Sequence, residues 1–147
     1  MWQEPKIDWV STDSFNFEDY NRIKNNIAYL RKMALPFYST VPFEDMGDDK
    51  NGYNEFPYAE EFNRLENNLE LLKNNTFIFN NEERKNWYAN EKTPDFEDFN
   101  RIERICLDYY NGLQIKHNVR HGNNRFENIK VRGEENGIYT IKNGFQR

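Results

Sequence analysis

The sequence predicts a mainly α fold: a bundle of three main helices with long loops and a small C-terminal β-hairpin. Three observations lead there. One phrase recurs three times, as FEDYNRIKNNIAYL from Phe17, YAEEFNRLENNLELL from Tyr58 and FEDFNRIERICLDY from Phe96. Within each copy the apolar residues alternate in steps of three and four, the stripe of an amphipathic helix. The chain is also rich in aromatics, 16%, while hydrophobic residues reach only 37%, so a few large anchors must hold the core.

In the first copy the stripe runs Phe17, Tyr20, Ile23, Ile27, Leu30 and Ala34, and Pro36 should end it. In the second, Tyr58, Phe62, Leu65, Leu69 and Leu72 repeat the pattern, with Pro57 suited to the first helical turn. The third opens on Thr93, Pro94 and Asp95, where Thr93 is expected to cap and Asp95 to face the positive end of the helix dipole. Its stripe continues through Phe96, Phe99, Ile102, Cys106, Tyr109 and Leu113, with Gly122 a plausible stop. Aligned on Asn21, Asn63 and Asn100, the copies stand 42 (21 to 63) and 37 (63 to 100) residues apart, too uneven for a regular solenoid.

Between the first two helices lies a Pro-, Gly- and Asp-rich stretch, residues 35–56, longer than an ordinary connection. We expect a functional loop or one pinned by a neighbour, weakly structured in the isolated chain. Residues 81–90 suggest a short helix capped by Asn80 or Asn81. NIKV and IYTIK, flanking Gly133 and Gly137, suggest the hairpin. The expected organisation is a helical repeat bundle over 1–122 and a C-terminal hairpin or interaction extension over 123–147.

At 147 residues the chain suits one modest core. A net charge of −5 and a pI near 5.2 oppose binding to a phosphate backbone, so no nucleic-acid partner is expected. No apolar run is long enough to span a bilayer, and MWQEPKIDWV has neither a basic start nor an apolar signal core, so no membrane partner is expected either. The single Cys106 excludes an intrachain disulfide and reads as a small core residue. His117 and His121 stand four apart, as two metal ligands on a helix would, but a third ligand is missing and no metal is expected. Glu44, Asp45, Asp48 and Asp49 lack the alternating ligand spacing of a calcium loop and read as a solvated turn. No acid–base pair or nucleophile stands out, so neither a catalytic site nor a cofactor is expected.

The sharpest constellation is the repeat itself: Tyr20, Asn21, Arg22 and Ile23; Phe62, Asn63, Arg64 and Leu65; Phe99, Asn100, Arg101 and Ile102. Asn is a poor helix former, so its recurrence at one place in three helices indicates a shared hydrogen-bonding task. The plain reading has each Asn bonding a loop or helix end and each Arg meeting Glu18, Glu60 or Glu97 one turn away. The functional reading sends the Arg side chains to a partner subunit. Trp2, Trp9, Phe37, Tyr38, Phe43, Tyr53 and Phe56 fall outside the stripes, and Ile138, Tyr139 and Ile141 lie in the hairpin. These ten are the candidate interface, aromatic anchors being typical of protein contacts; the seven aromatics could equally cover the bundle of their own chain.

The stretch DWVSTDSFNFEDYNRIKNNIAYL, residues 8–30, resembles the opening of short tail, baseplate and fibre-associated structural proteins of phages and prophages of low-GC Gram-positive bacteria. Trp9, Asp13, Phe15, Asp19, Tyr20, Asn21, Arg22 and Ile23 carry the resemblance, followed by Asn63, Arg64, Leu65 and Glu66, and by Asn100, Arg101, Ile102 and Glu103. It covers about two-thirds of the chain in pieces and none of the tail from His117. It implies a virion component without enzymatic activity, present in several copies beside other virion proteins. A helical adaptor or regulatory protein-binding module is the alternative.

Overall fold

The computed structural model describes residues 1–117, which carry three helices, α1 (Phe17–Ala34), α2 (Ala59–Asn75) and α3 (Phe96–His117), and no β-strand among them. The expected hairpin, with Ile138, Tyr139 and Ile141, lies outside the described residues, as do Gly122, His121 and the 122/123 boundary. The chain divides into two compact units at Tyr110. The packing described below belongs to residues 1–109; residues 110–117 complete α3.

Each helix begins where an acidic side chain reaches back to the chain before it. At α1 the Asn16 side chain accepts from the N–H groups of Glu18 and Asp19 while Asp19 accepts from the N–H of Asn16, a reciprocal capping box. At α3 the same exchange joins Asp95 and Asp98, with Asp95 accepting from Glu97 and Asp98. The cap is therefore Asp95, two residues later than expected: a carboxylate able to accept two N–H bonds displaces Thr93, and Pro94 precedes the helix. At α2, Glu61 accepts from the N–H of Tyr58 at 2.8 Å. Pro57 thus lies before the first turn, and Tyr58, assigned to the stripe, is 75% exposed. α1 stops at Ala34, two residues ahead of Pro36, as a proline requires.

Tyr20, Phe62 and Phe99 are all buried, together with Ile23, Leu65 and Ile102. The repeated phrase thus places its apolar edge in a shared core. At one end Phe15 lies stacked on Phe99, 3.9 Å between centroids, and within ring contact of Trp9 and Phe62. Toward the other end Phe77 stacks on Tyr109 at 4.9 Å and Phe79 meets the same ring edge-on. Such paired aromatics each add about 0.5–1.5 kcal/mol beyond the area they bury.

Residues 81–90 form no helix. Residues 81–88 carry no regular element and 89–90 turn, Asn90 with φ 66°, and residues 83–87 bond to side chains of α2 and α3 in place of the local bonds a short helix would offer. Within residues 35–56 the chain's own helices hold the backbone at Glu44 and Lys50.

Burial pushes the hydroxyls of Tyr20 and Tyr109 up to about 12, helped at Tyr20 by the charge of Glu61. In the unfolded chain both ionise near 10, so above that pH the unfolded state releases protons that the folded state retains. Stability should be insensitive to these two groups below pH 10 and fall between about 10 and 12, by up to about 2–3 kcal/mol for each tyrosine. Denaturation midpoints at pH 9 and 11, with tyrosinate absorbance, check it; Tyr109→Phe should shrink the loss.

Candidate interaction site

An extended segment lying on helices has no neighbouring strand to satisfy its backbone, and the repeated Asn solves this. Asn100 of α3 accepts from the N–H of Trp9 at 2.7 Å and donates to its carbonyl at 2.9 Å. Asn63 of α2 grips Trp87 in the same two ways, at 2.7 and 2.8 Å, and Asn21 of α1 grips Lys50 at 2.9 and 2.8 Å. One residue's entire backbone polarity is thus met by one side chain, three times over. Five positions along the helix a second clamp follows: Asn26 holds Gln3 and Asn68 holds Glu44, again through both backbone groups. The third helix carries Ile105 at that register position.

The pattern is cyclic. Residues 3–9 are gripped by α3 and α1, and residues 44–50 by α1 and α2. Residues 85–87 are held by α2 at Trp87 and by α3 through the Lys85–Asp98 ion pair. Each segment therefore joins two helices.

Two carboxylates complete the arrangement. Glu103, 1% exposed, accepts from the Trp9 indole at 2.8 Å, the Lys6 N–H at 3.0 Å, and Arg22 of α1 through Nε and Nη2. Glu66, equally buried, accepts from the Trp87 indole at 3.1 Å, the Lys85 N–H at 3.3 Å, and Arg101 of α3 through both terminal nitrogens. A buried carboxylate is tolerable only with its lone pairs filled and its charge balanced, and here both conditions hold. Burial alone would lower the Arg22 and Arg101 guanidiniums, but the hydrogen bonds and charges of Glu103 and Glu66 outweigh it and raise both.

The third member of this set has been replaced. By register Lys24 stands where the other helices have Glu, and Lys50 where the other segments have Trp. Lys24, itself buried, reaches Asp49 at 2.7 Å and the Gly47 carbonyl; Lys50 reaches Glu61 and lies over the Tyr20 ring. Arg64 consequently pairs with exposed Glu60 and, more distantly, with Glu44.

The sequence placed the three Asn and three Arg residues together but misassigned most partners. Only Arg64 meets its expected Glu60; Arg22 pairs with Asp19 and Glu103, and Arg101 with Glu66 and, at 4.0 Å, Asp98. The unrecognised residues are Glu66 and Glu103, although both stand in the repeated phrase. Burial of an acidic residue on the same face as the stripe is the signal that would have found them.

No protein-family model, curated protein or solved structure matches this chain.

Of the two readings open for the candidate interface aromatics, Trp9 takes the second and covers its own bundle: at 4% exposure it is a core anchor, its indole N–H meeting a buried acceptor. Trp2 is half-buried against Tyr29, Tyr38 lies near Phe77, and Phe43 packs under Arg31. Phe37, Tyr53 and Phe56 are exposed, Tyr53 edge-on to Phe17 and Phe56 to Phe62. Phe56 also lines a groove of about 570 Å³ with Pro57, Tyr58, Trp87, Tyr88 and Pro94. Cys106 is buried, and burial raises its thiol, so it stays protonated. The acidic turn is tied down, Asp49 by Lys24 and Asn25, which hold its carboxyl below the usual range. His117 is lowered by burial, and among the described residues no three His, Cys, Asp or Glu side chains gather as metal ligands.

Two measurements test the clamps. Glu103→Ala should cost about 3–5 kcal/mol in chemical denaturation, since it leaves Arg22 and the Trp9 indole buried without their acceptor. Glu60→Ala, at an exposed pair, should cost under about 1 kcal/mol. Asn63→Ala should cost about 2–4 kcal/mol and release the Trp87 amide to fast hydrogen exchange while leaving the Trp9 amide protected.

Proposed function

We propose that this chain is a non-enzymatic virion structural protein, a phage tail subunit of the baseplate or fibre attachment, docking to other virion proteins and to copies of itself. It is made in the bacterial host cytoplasm and resides in the particle. One observation carries the reading: the recurring polar residues, Asn21, Asn63, Asn100, Arg22 and Arg101, are spent on the chain's own segments and buried carboxylates. Among the side chains that face outward are large aromatics: Tyr53, Tyr58 and Tyr88 at 59–78% exposure and Phe56 at 49%. Large aromatics on a rigid frame are the usual anchors of protein contacts. The resemblance of residues 8–30 to phage tail and baseplate components supports the same reading, and residues 123–147 serve as the interaction extension.

The aromatic groove beside α2 and α3 favours a second reading, a helical adaptor or regulator gripping a peptide of a phage or host protein, since such grooves are lined by aromatic and proline side chains. Mass spectrometry of purified particles, with stoichiometry, separates the two. A subunit should be present at a fixed multiple matching one symmetric layer; its absence from intact particles would leave the adaptor.

A further inference from the structure

Two of the three clamped segments are spliced between the helices they join: residues 44–50 lie between α1 and α2 in sequence as in space, and residues 85–87 between α2 and α3. Residues 3–9 differ. They join α1 to α3, yet among the described residues they are spliced only to α1, and their α3 acceptors stand 91 to 97 residues away. The groove's hydrogen bonds read Gln3, Lys6 and Trp9, and of the stretch that connects them to α1 only Phe15, stacked on Phe99 and beside Trp9, touches it; none of these bonds requires the occupant to come from the same chain.

The connector is built to open. Residues 10–14 are exposed, and a tight turn is closed there by Asp13 N–H on the Val10 carbonyl and Val10 N–H on the Asp13 carboxylate. Beyond it Phe15 is fixed on Phe99. Both closing bonds, and the 3.6 Å ion pair of Lys6 with Asp13 that ties the arm to the turn, join groups that water can satisfy when the turn opens, and five extended residues then reach about 17 Å.

We propose that residues 3–9 exchange between copies, the arm of one chain filling the α1/α3 groove of a second copy, with Trp9 clamped by the second chain's Asn100 and Glu103. The clamp between two chains is made of the same bonds as the clamp within one, so exchange is governed by concentration: an isolated chain fills its own groove, and copies held side by side fill one another's. This rests on the multi-copy reading above, which supplies the crowding.

The test uses the full chain. Wild-type chains carrying two different tags are unfolded together and refolded at 5 µM and at 500 µM (~100-fold apart). The expected result is a mixed dimer that grows with concentration and persists on dilution, with isotope-filtered contacts between Trp9 of one chain and Phe99 of the other. Trp9→Ala (damaged arm, sound groove) and Asn100→Ala (sound arm, damaged groove) should each dimerise less alone and recover when mixed, a complementation that simple loss of stability does not produce. A chain monomeric at both concentrations overturns exchange, and so does a dimer whose Trp9–Phe99 contact is only within a chain. Wild-type spectra decide the matter if either variant fails to fold. Finding the chain in particles without exchange leaves the structural role standing, and exchange by a chain absent from particles removes that role alone.

Discussion

The constraint governing this structure is that an extended backbone on a helical surface must still have its N–H and C=O groups satisfied. A sheet would do this by adding a strand. This protein does it with single asparagines, each presenting a donor and an acceptor at the spacing of one residue's backbone, so the helices keep their own hydrogen bonds intact. Because the acceptor–donor pair fits only one residue at a time, each clamp also fixes register: Trp9 and Trp87 enter at the one place where a buried carboxylate waits for the indole. Slipping by one residue would strand both the indole and the carboxylate.

The carboxylates turn three local fits into a closed set. Glu103 is shared by α3, by Arg22 of α1 and by the segment from 3 to 9; Glu66 is shared by α2, by Arg101 of α3 and by the segment ending at Trp87. Neither charge would be tolerated alone, and each is surrounded by groups from three places in the chain. At the remaining junction Lys24 and Lys50 replace Glu and Trp, and an exposed Arg64 pair takes over. That junction exchanges one buried carboxylate shared by a guanidinium and an indole for separate ion pairs, of which the Arg64–Glu60 pair is largely open to water.

Much of the helical frame was legible because its signal is periodic: the stripes of Tyr20, Phe62 and Phe99 are short-range patterns, and a buried edge explains them. The shared task of the Asn residues was legible too, since a poor helix former recurring in register needs a reason. Its object was not. Which backbone Asn100 holds depends on a segment 91 residues away, and no local spacing encodes that. Trp9 was left between two readings for the same reason: a Trp outside a stripe can be surface or cover until its acceptor is known. The start of α3 slipped by two residues because Thr93 and Asp95 are both competent caps, and only the return bond from Asp98 decides between them.

The order of events during synthesis follows from that long reach. Trp9 leaves the ribosome early and waits while most of the chain is made, since Asn100 and Glu103 emerge only with α3. Every segment meets one holder within 29 residues, residues 3–9 included through Gln3 and Asn26, but the backbone and indole of Trp9 are held by α3. Until α3 arrives, the segment is held to α1 at Gln3 while its Trp9 end lacks its acceptors, which makes this the interval in which the nascent protein most needs shielding from its neighbours.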